Sequence, residues 1–273
     1  MKELHPEMAV DIEKAIAAKF PNKKIPKCFI NFMKRFIHQD YMNDFLVRGY
    51  KGVEFCHEAM KYLDIEADVK GVDRVKVPEG AKITFACNHP LGGADGIIIV
   101  STIGKYFGKE SRLLVNDFLM NIKAIRHLSI PVSKTGGLQA RNLPQLIEEI
   151  YNSDYPVMIF PSGICSRKID GKVQDVPWSK NFIKMSRKTN RWVVPVHFIG
   201  QNSKRFYNVA ALCHRLKLKF NFAMLLLPDE LYRARHSRYK LVFGEPMAPD
   251  TFDKSKTDLE WAAYVREKVY ELE

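Results

Sequence analysis

The chain has 273 residues, 46% of them hydrophobic, and carries a formal net charge of +12 at pH 7. This size and composition exclude a disordered chain and favour one large domain, or one domain with a small appendage. The five cysteines are widely spaced without a C-x-x-C pair, which argues against a disulfide framework or a zinc site and favours a reducing compartment.

Residues 1–65 are predicted to form a helical cap, and residues 66–273 the main domain. The boundary is placed near residue 65 because the hydrophobic pattern changes there. Helices in the cap are expected near residues 8–19, 27–38 and 52–63. The uncharged apolar stretches are far shorter than the roughly 20 residues needed to span a bilayer, so we expect a soluble or peripheral protein.

The second of these helices is amphipathic and basic. Residues 14–39 contain seven Lys or Arg residues and no acidic residue, and apolar residues recur at helical spacing along IPKCFINFMKRFIHQ. Aromatic and basic side chains on one helix suit insertion into the headgroup layer of an anionic bilayer. The same apolar face is equally suited to pack on the protein's own core. The predicted membrane-docking residues are Phe29, Met33, Phe36, Lys34 and Arg35.

After residue 65, short β-rich runs alternate with helical stretches. Strands are expected at 82–87, 112–115, 129–132, 157–160, 192–198 and 240–243, and helices near 95–106, 138–152, 179–188 and 257–271. This alternation predicts an α/β fold with a mainly parallel central sheet flanked by helices. In such a sheet, functional residues gather where strands end and helices begin.

The stretch CNHPLGGADG, residues 87–96, lies at one of these junctions. Pro90 restricts His89 to extended backbone, while Gly92 and Gly93 permit a tight reversal that brings Asp95 back to the imidazole. A carboxylate bonded to one ring nitrogen leaves the other nitrogen free to act as a base. The alternative is a purely structural role, in which His89 caps the strand end and Asp95 caps the following helix.

The sequence leaves three partners open for such a base. Ser162 lacks both glycines of a G-x-S-x-G elbow, and Cys87 and Cys165 are candidates for a covalent mechanism. In the third option the base deprotonates the hydroxyl of a bound acceptor, which attacks an activated acyl group directly.

Four sequence blocks in order, over about residues 65–250, are similar to those of the glycerolipid acyltransferases, the lysophosphatidate acyltransferase superfamily. The blocks are NHPLGGAD, LLVNDFLMNIKAIRHLSIPVSK, FPSGICSRK and VVPVHFIG, and GEPM stands where the superfamily has a late Gly-x-Pro-Ile element. The resemblance implies acyl transfer from a thioester, with His89 as the catalytic base and Asp95 as its partner. It also implies substrate-binding roles for Lys134, Ser162, Gly163, Arg167 and Lys168.

The third block departs from the family pattern. Ser162 replaces the usual Glu, and Cys165 stands where the family has an Arg that is associated with binding the acceptor's phosphate. Because a cysteine cannot supply bidentate donors to phosphate, Arg167 and Lys168 are expected to substitute. The first block departs as well, since five residues rather than four separate His89 from Asp95. Some bacterial members that resemble this chain acylate lyso forms of amino-acid lipids such as ornithine or glycine lipids, whose headgroups carry a carboxylate.

The resemblance implies no cofactor and no metal, with acyl-ACP or acyl-CoA as co-substrate. The expected partners are an anionic membrane surface, a lyso-lipid acceptor and acyl carrier protein. Residues 176–228, which hold ten Lys or Arg residues and no acidic residue, are available to bind the acidic carrier protein. We expect a cytoplasmic protein on the inner face of the cell membrane. The rival interpretations are a catalytically inactive membrane-binding protein and a nucleic-acid-binding protein, which is favoured by charge alone.

Overall fold

The computed structural model describes residues 3–19, 24–115, 122–131, 138–218 and 221–273. Its helices are α1 (Ile12–Lys19), α2 (Lys27–Phe36), α3 (Gln39–Leu46), α4 (Gly52–Tyr62), α5 (Ala94–Phe107), α6 (Leu138–Asn152), α7 (Asn181–Lys188), α8 (Lys204–Arg215), α9 (Leu227–Arg233) and α10 (Asp258–Tyr270). Its strands are β1 (Glu66–Lys70), β2 (Lys82–Cys87), β3 (Arg112–Val115), β4 (Ser129–Pro131), β5 (Val157–Ile159), β6 (Arg167–Ile169), β7 (Lys172–Gln174), β8 (Arg191–Ile199) and β9 (Arg238–Phe243).

Within the described residues, the centre of the fold is a seven-stranded sheet in the order β1-β9-β8-β2-β5-β3-β4. Neighbouring strands are parallel except for β8 and β9. The carboxyl ends of β2, β5 and β8 therefore meet at one edge of the sheet. Strands β6 and β7 form a separate antiparallel hairpin. The mainly parallel sheet with flanking helices confirms the predicted fold class.

Strand β2 is buried on both faces and separates two layers of the core. Phe85 and Cys87 pack in a cluster with residues of α4 and α5, whereas Ala86 packs in a second cluster with residues of α7 and α10. Successive side chains of a strand point to opposite faces. A near-continuous apolar strand is therefore what a sheet covered by helices on both sides requires.

Two of the helices before residue 65, α3 and α4, share the first of these clusters. Phe45 of α3 and Phe55 of α4 are buried in the same cluster as Phe85. Helix α4 packs tightly on α5, because a Cβ built on Gly104 would lie 2.3 Å from Val53 Cγ1. None of the described helices combines the length and the apolar character needed to cross a membrane.

The predicted elements coincide with observed ones to within about one helical turn, but the structure adds α3, β1, the β6–β7 hairpin, α8 and α9. Strand β1 lies at the edge of the sheet and its side chains are exposed or half-buried, so its sequence lacks a clear apolar pattern. Helix α8 was not predicted, although Phe206, Tyr207, Ala210 and Cys213 recur at helical spacing on its buried side.

Candidate active site

The turn between β2 and α5 positions the predicted catalytic residues. Strand β2 ends at Cys87 and α5 begins at Ala94, so residues 88–93 form the turn. Gly92 has a φ of +78°, and a Cβ built there would lie 2.4 Å from Cys165 Sγ and 2.9 Å from a methyl group of Leu227. Glycine meets both the backbone and the space requirement without strain. The reversal at Gly92 precedes the first turn of α5, where Asp95 lies.

His89 and Asp95 are brought together, as predicted. His89 Nδ1 donates to Asp95 Oδ2 over 3.0 Å, and the same oxygen accepts the backbone N–H groups of Leu91 at 2.8 Å and Gly92 at 3.1 Å. The other carboxylate oxygen accepts the N–H of Gly96 at 2.9 Å. Because the ionised carboxylate only accepts, it holds the proton on Nδ1 and leaves Nε2 for a reacting group.

Burial and the carboxylate act in opposite directions on the pKa of His89. Burial is the largest single influence and lowers the pKa of His89, but the Asp95 carboxylate and the Cys165 side chain together outweigh it, so this pKa lies well above its ordinary value. For Asp95, burial raises the pKa, while His89 and the N–H groups of Leu91 and Gly92 lower it below its ordinary value. The resting pair is therefore an imidazolium beside a carboxylate.

The His89 ring is held on two further sides. Phe160, directly after β5, stacks on it with ring centroids 3.8 Å apart and planes 19° from parallel. The buried Cys165 side chain also lies close to the ring and helps to raise its pKa. About one sixth of the His89 side chain is exposed, 16%, whereas Asp95 is fully buried. Substrate can therefore reach the histidine but not the carboxylate.

Asp175 is a buried carboxylate that fixes the backbone of the catalytic turn. Its Oδ1 accepts the N–H of His89 at 3.2 Å and the hydroxyl of Ser166 at 2.5 Å, and its Oδ2 accepts the indole N–H of Trp178 at 2.9 Å. The N–H of Ser166 in turn donates to the carbonyl of His89 at 2.7 Å. The role of Asp175 could not be predicted from the sequence, because no motif links this residue to a turn 86 residues away.

Two asparagines tie the same turn to β8 and to the loop before α8. Asn88 pairs with the backbone of Phe198 through both its donor and its acceptor, at 2.9 and 2.7 Å. Asn202 donates to the carbonyls of Pro90 and Leu91, both at 3.2 Å. Asn88 lies inside the first sequence block, so its position was visible, but its bonding partner was not.

The third block lies beside the dyad, after β5. Gly163 is exposed, and Ser162 is half-buried with its hydroxyl donating to the carbonyl of Ile164 at 2.8 Å. Arg167 and Lys168 are adjacent on β6 and so face opposite sides of the hairpin; Arg167 is half-buried and Lys168 is exposed. Lys134, predicted to bind substrate, lies outside the described residues.

Arg167 extends back along the loop that contacts His89. Its Nη1 donates to the carbonyls of Cys165 at 2.6 Å and Ser166 at 3.2 Å, and its guanidinium lies 5.7 Å from the Phe206 ring centre. Its Nη2 is buried and has no hydrogen-bond partner within the described residues. Buried polar atoms are normally paired. The guanidinium therefore retains a donor for a ligand.

The residues predicted to dock on a membrane have unequal environments. Phe29 and Arg35 are exposed, whereas Met33 and Phe36 are half-buried. Lys34 forms an ion pair with Glu13 of α1 at 2.8 Å. The apolar face of α2 therefore divides into a part that packs on the protein and a part that faces solvent.

Cys87, one of the two thiols considered for a covalent mechanism, is poorly placed for it. The residue is fully buried in β2, and burial, together with the charges of Asp95 and Asp175, raises its pKa well above the ordinary value. A thiol in that environment stays protonated and is a weak nucleophile. Cys165, which contacts His89, is the thiol that a covalent mechanism would require.

Comparisons with known proteins identify the family of this chain. Residues 12–273 match a family model described as Acyltransferase. The chain is 42% identical over 267 residues to lyso-glycine lipid O-acyltransferases of Phocaeicola vulgatus and of Bacteroides thetaiotaomicron, covering 96% of this chain and 95% and 97% of theirs. Its fold is similar to the crystal structure of the 1-acyl-sn-glycerophosphate acyltransferase PlsC from Thermotoga maritima, with a TM-score of 0.50, 19% identity, and coverage of 80% of this chain and 77% of that one.

The family match spans nearly the whole chain, and the related sequences match from end to end. The resemblance that the sequence blocks predict is thereby confirmed. The chain belongs to the acyltransferase family and is an O-acyltransferase of the glycerolipid acyltransferase superfamily.

Proposed function

We propose that this enzyme transfers a fatty acyl group from acyl-ACP or acyl-CoA to the hydroxyl of a lyso-lipid, and that a lyso-glycine lipid is the preferred acceptor. The observation that carries the reaction is the bond between His89 Nδ1 and Asp95, which leaves Nε2 unbound to the carboxylate on a side chain that is 16% exposed. The names of the two relatives at 42% identity support the acceptor class. The reaction requires no resident metal or cofactor.

The mechanism begins with loss of the Nε2 proton from the His89 imidazolium to solvent. The neutral ring then takes the proton of the acceptor hydroxyl while that oxygen attacks the thioester carbonyl. The tetrahedral intermediate collapses with cleavage of the carbon–sulfur bond, and the imidazolium returns its proton to the departing thiolate. Asp95 remains ionised throughout, and it stabilises the imidazolium and keeps the ring in one orientation.

The oxyanion of the intermediate needs backbone donors, and the two candidate places are the start of α5 and residues 162–163 of the third block. At the start of α5, the N–H of Gly96 is bonded to Asp95 and that of Ile97 to the carbonyl of Gly93. In the third block, the N–H of Gly163 is bonded to the carbonyl of Phe160 at 2.9 Å. We therefore assign the oxyanion to the N–H of Ser162, the remaining backbone donor of these two places.

Arg167 is the side chain that we assign to the acceptor headgroup. Its unpaired, buried Nη2 lies on the loop whose neighbouring residues contact His89. A guanidinium N–H in this setting is satisfied well by a carboxylate, which binds with a charge-assisted hydrogen bond. A glycine headgroup supplies a carboxylate. The exposed Lys168 is left to attract anions to the site at longer range.

The acceptor resides in a membrane, so the enzyme must work at a bilayer surface. We propose that α2, with exposed Phe29 and Arg35, contacts that surface, and that the protein acts at the inner face of the cell membrane. The net charge of +12 suits anionic lipid and an acidic carrier protein alike.

The function is tested by incubating the purified protein with acyl-ACP and acyl-CoA and, separately, lyso-glycine lipid, lyso-ornithine lipid and lysophosphatidate. We expect turnover with lyso-glycine lipid at the highest kcat/KM, and a loss of about a thousand-fold in His89→Ala. His236→Ala is the matched control, because that histidine also pairs with an aspartate, Asp64, but is exposed and far along the chain. Absence of turnover with every acceptor would favour the inactive membrane-binding interpretation, and equal rates in His89→Ala would overturn the dyad.

A further inference from the structure

A patch of exposed leucines lies on α8 and the segment that follows it. The relative exposures are 53% for Leu212, 57% for Leu216, 43% for Leu218 and 43% for Leu225, the last within the 3₁₀ helix Phe222–Leu226. The opposite side of α8 is packed through Phe206 and its neighbours, so the leucines are not needed to hold the helix in place. Contiguous exposed apolar residues on a soluble surface indicate a contact with a partner or a membrane.

We infer that this leucine patch, comprising Leu212, Leu216, Leu218 and Leu225, inserts into an anionic lipid bilayer and is a second membrane-binding element beside α2. The inference deepens the proposed function, on which it rests, by identifying how the enzyme reaches its acceptor.

The charge around the leucine patch selects an anionic bilayer as its occupant. Exposed Lys204 lies at the start of α8, and exposed Arg215 and Lys217 flank Leu216, whereas Arg205 is paired with Asp229 and Glu230. No acidic residue occurs between positions 176 and 228. Leucines that enter the acyl region, with lysines and arginines at headgroup level, are the composition of an interfacial membrane-binding helix. Cationic residues near an anionic leaflet add attraction that depends on salt.

The leucine patch is continuous with the exposed part of α2. Phe36, at the end of α2, packs against the buried cluster of Phe206 and Leu226 beneath the patch, and the Arg205 guanidinium lies 5.8 Å from the Phe36 ring centre. Phe32, which is 59% exposed, stacks on Phe36 with ring centroids 5.8 Å apart. One apolar layer therefore connects the two elements, so both can enter the same leaflet.

That layer also reaches the catalytic turn. The cluster beneath the leucine patch includes Cys165, whose side chain contacts the His89 ring, and Leu227, which lies against Gly92. Only this one cluster would therefore separate a bilayer seated on the leucine patch from the His89 ring. A lyso-lipid would present its hydroxyl to the base without leaving the leaflet completely.

The test compares two leucines of nearly equal exposure. Leu216→Glu changes the leucine patch, whereas Leu259→Glu changes a leucine that is 56% exposed on α10, the helix that packs on the other layer of the core. Binding is measured by co-sedimentation with vesicles made of equal parts zwitterionic and anionic lipid. We expect about ten-fold weaker binding for Leu212→Glu/Leu216→Glu, a smaller loss for Leu216→Glu, and no change for Leu259→Glu.

Thermal unfolding of each variant shows whether the fold is kept, and we expect no change because the residues are exposed. Activity toward a short-chain, water-soluble acceptor should also be unchanged, while activity toward acceptor embedded in vesicles falls with binding. Vesicle binding that is the same in the double variant and the wild type would overturn the inference. So would a double variant that binds vesicles normally but loses affinity for acyl carrier protein. Because vesicle binding is measured without turnover, its outcome is independent of the proposed reaction.

Discussion

The turn after β2 and the loop after β5 reach the same edge of the sheet, but they are held in place differently. In the turn, Asp95 accepts His89 and three backbone N–H groups, and Asp175, Asn88 and Asn202 bind the surrounding backbone. In the loop, Ser162 and Gly163 are accessible, and Arg167 keeps a buried donor without a partner.

This difference separates the chemistry from the choice of acceptor. A network with its polar groups paired fixes geometry to within the tolerance that a proton transfer needs. A loop with fewer bonds can change its side chains without moving the base. Substitutions in the turn should therefore reduce the rate with every acceptor, whereas substitutions in the loop should change the ratio between acceptors.

The largest effect is expected from Asp95→Asn. The amide has nearly the same shape, but its NH₂ group cannot fix the Nδ1 proton as a carboxylate does, and the imidazolium loses its counter-charge. We expect kcat to fall by about 10³- to 10⁴-fold with all acceptors alike. Steady-state kinetics on lyso-glycine lipid and lysophosphatidate measure this. A fall confined to one acceptor would show that the turn also selects substrate.

Gly92→Ala should be the next most severe change. The residue has a φ of +78°, and its new Cβ would meet Cys165 Sγ at 2.4 Å. We expect a loss of about 2 kcal/mol or more in the free energy of unfolding and roughly a hundred-fold loss of activity, as the dyad is displaced. Gly93→Ala is the neighbouring control, because a Cβ there meets nothing within 4 Å among the described residues. Chemical denaturation and activity assays measure both effects. Equal losses of unfolding free energy and of activity in the two variants would show that Gly92 has no special role.

Arg167→Ala should weaken acceptor binding by the loop and leave the catalytic turn unchanged. Without the guanidinium, the acceptor's carboxylate loses its charge-assisted bond, so we expect KM for lyso-glycine lipid to rise roughly ten-fold with kcat nearly unchanged. Lys168 is adjacent and exposed, and Lys168→Ala should raise this KM much less. A drop in kcat at unchanged KM would mean instead that Arg167 supports the turn through its bonds to Cys165 and Ser166.

Cys165→Ala should have the smallest effect. If the acyl group passes directly to the acceptor, loss of the thiol removes a contact with His89 and some packing, and we expect activity within about ten-fold of wild type. Cys213→Ala, at another buried cysteine, controls for packing. Activity as low as that of His89→Ala, with an acyl-enzyme visible by mass spectrometry in the wild type, would establish the covalent route instead.

Much of the fold follows from sequence because its central strands are buried on both faces and flanked by amphipathic helices. Strands β2 and β8 have short apolar runs that are typical of strands buried on both faces, and their alternation with helices indicates the fold class. The half-buried edge strand β1 and the short hairpin β6–β7 carry no such run. Helix α8 was missed although its buried residues Phe206, Tyr207, Ala210 and Cys213 have helical spacing.

The dyad was predictable because its two residues are close in sequence and Pro90 and Gly92 reveal the turn between them. The residues that support that turn were not predictable, since Asp175 and Asn202 come from distant segments of the chain and neither belongs to a motif. Arg167 was nominated only as a nearby cation. Its distinguishing feature, a buried nitrogen without a partner, depends on packing against Phe206, which sequence spacing cannot show.

The pH dependence of kcat/KM tests the dyad most directly, since it reports the pKa of the base in the free enzyme. Burial lowers the pKa of His89, but the Asp95 carboxylate, together with Cys165, more than offsets burial and holds this pKa well above its ordinary value. Because only the neutral ring accepts a proton, the rate should rise with pH through a midpoint above about 6.5. In Asp95→Asn the opposing carboxylate is gone, so the midpoint of the residual activity should move to lower pH. A midpoint that is the same in both proteins would contradict the account, because the titrating group would then not be His89 paired with Asp95.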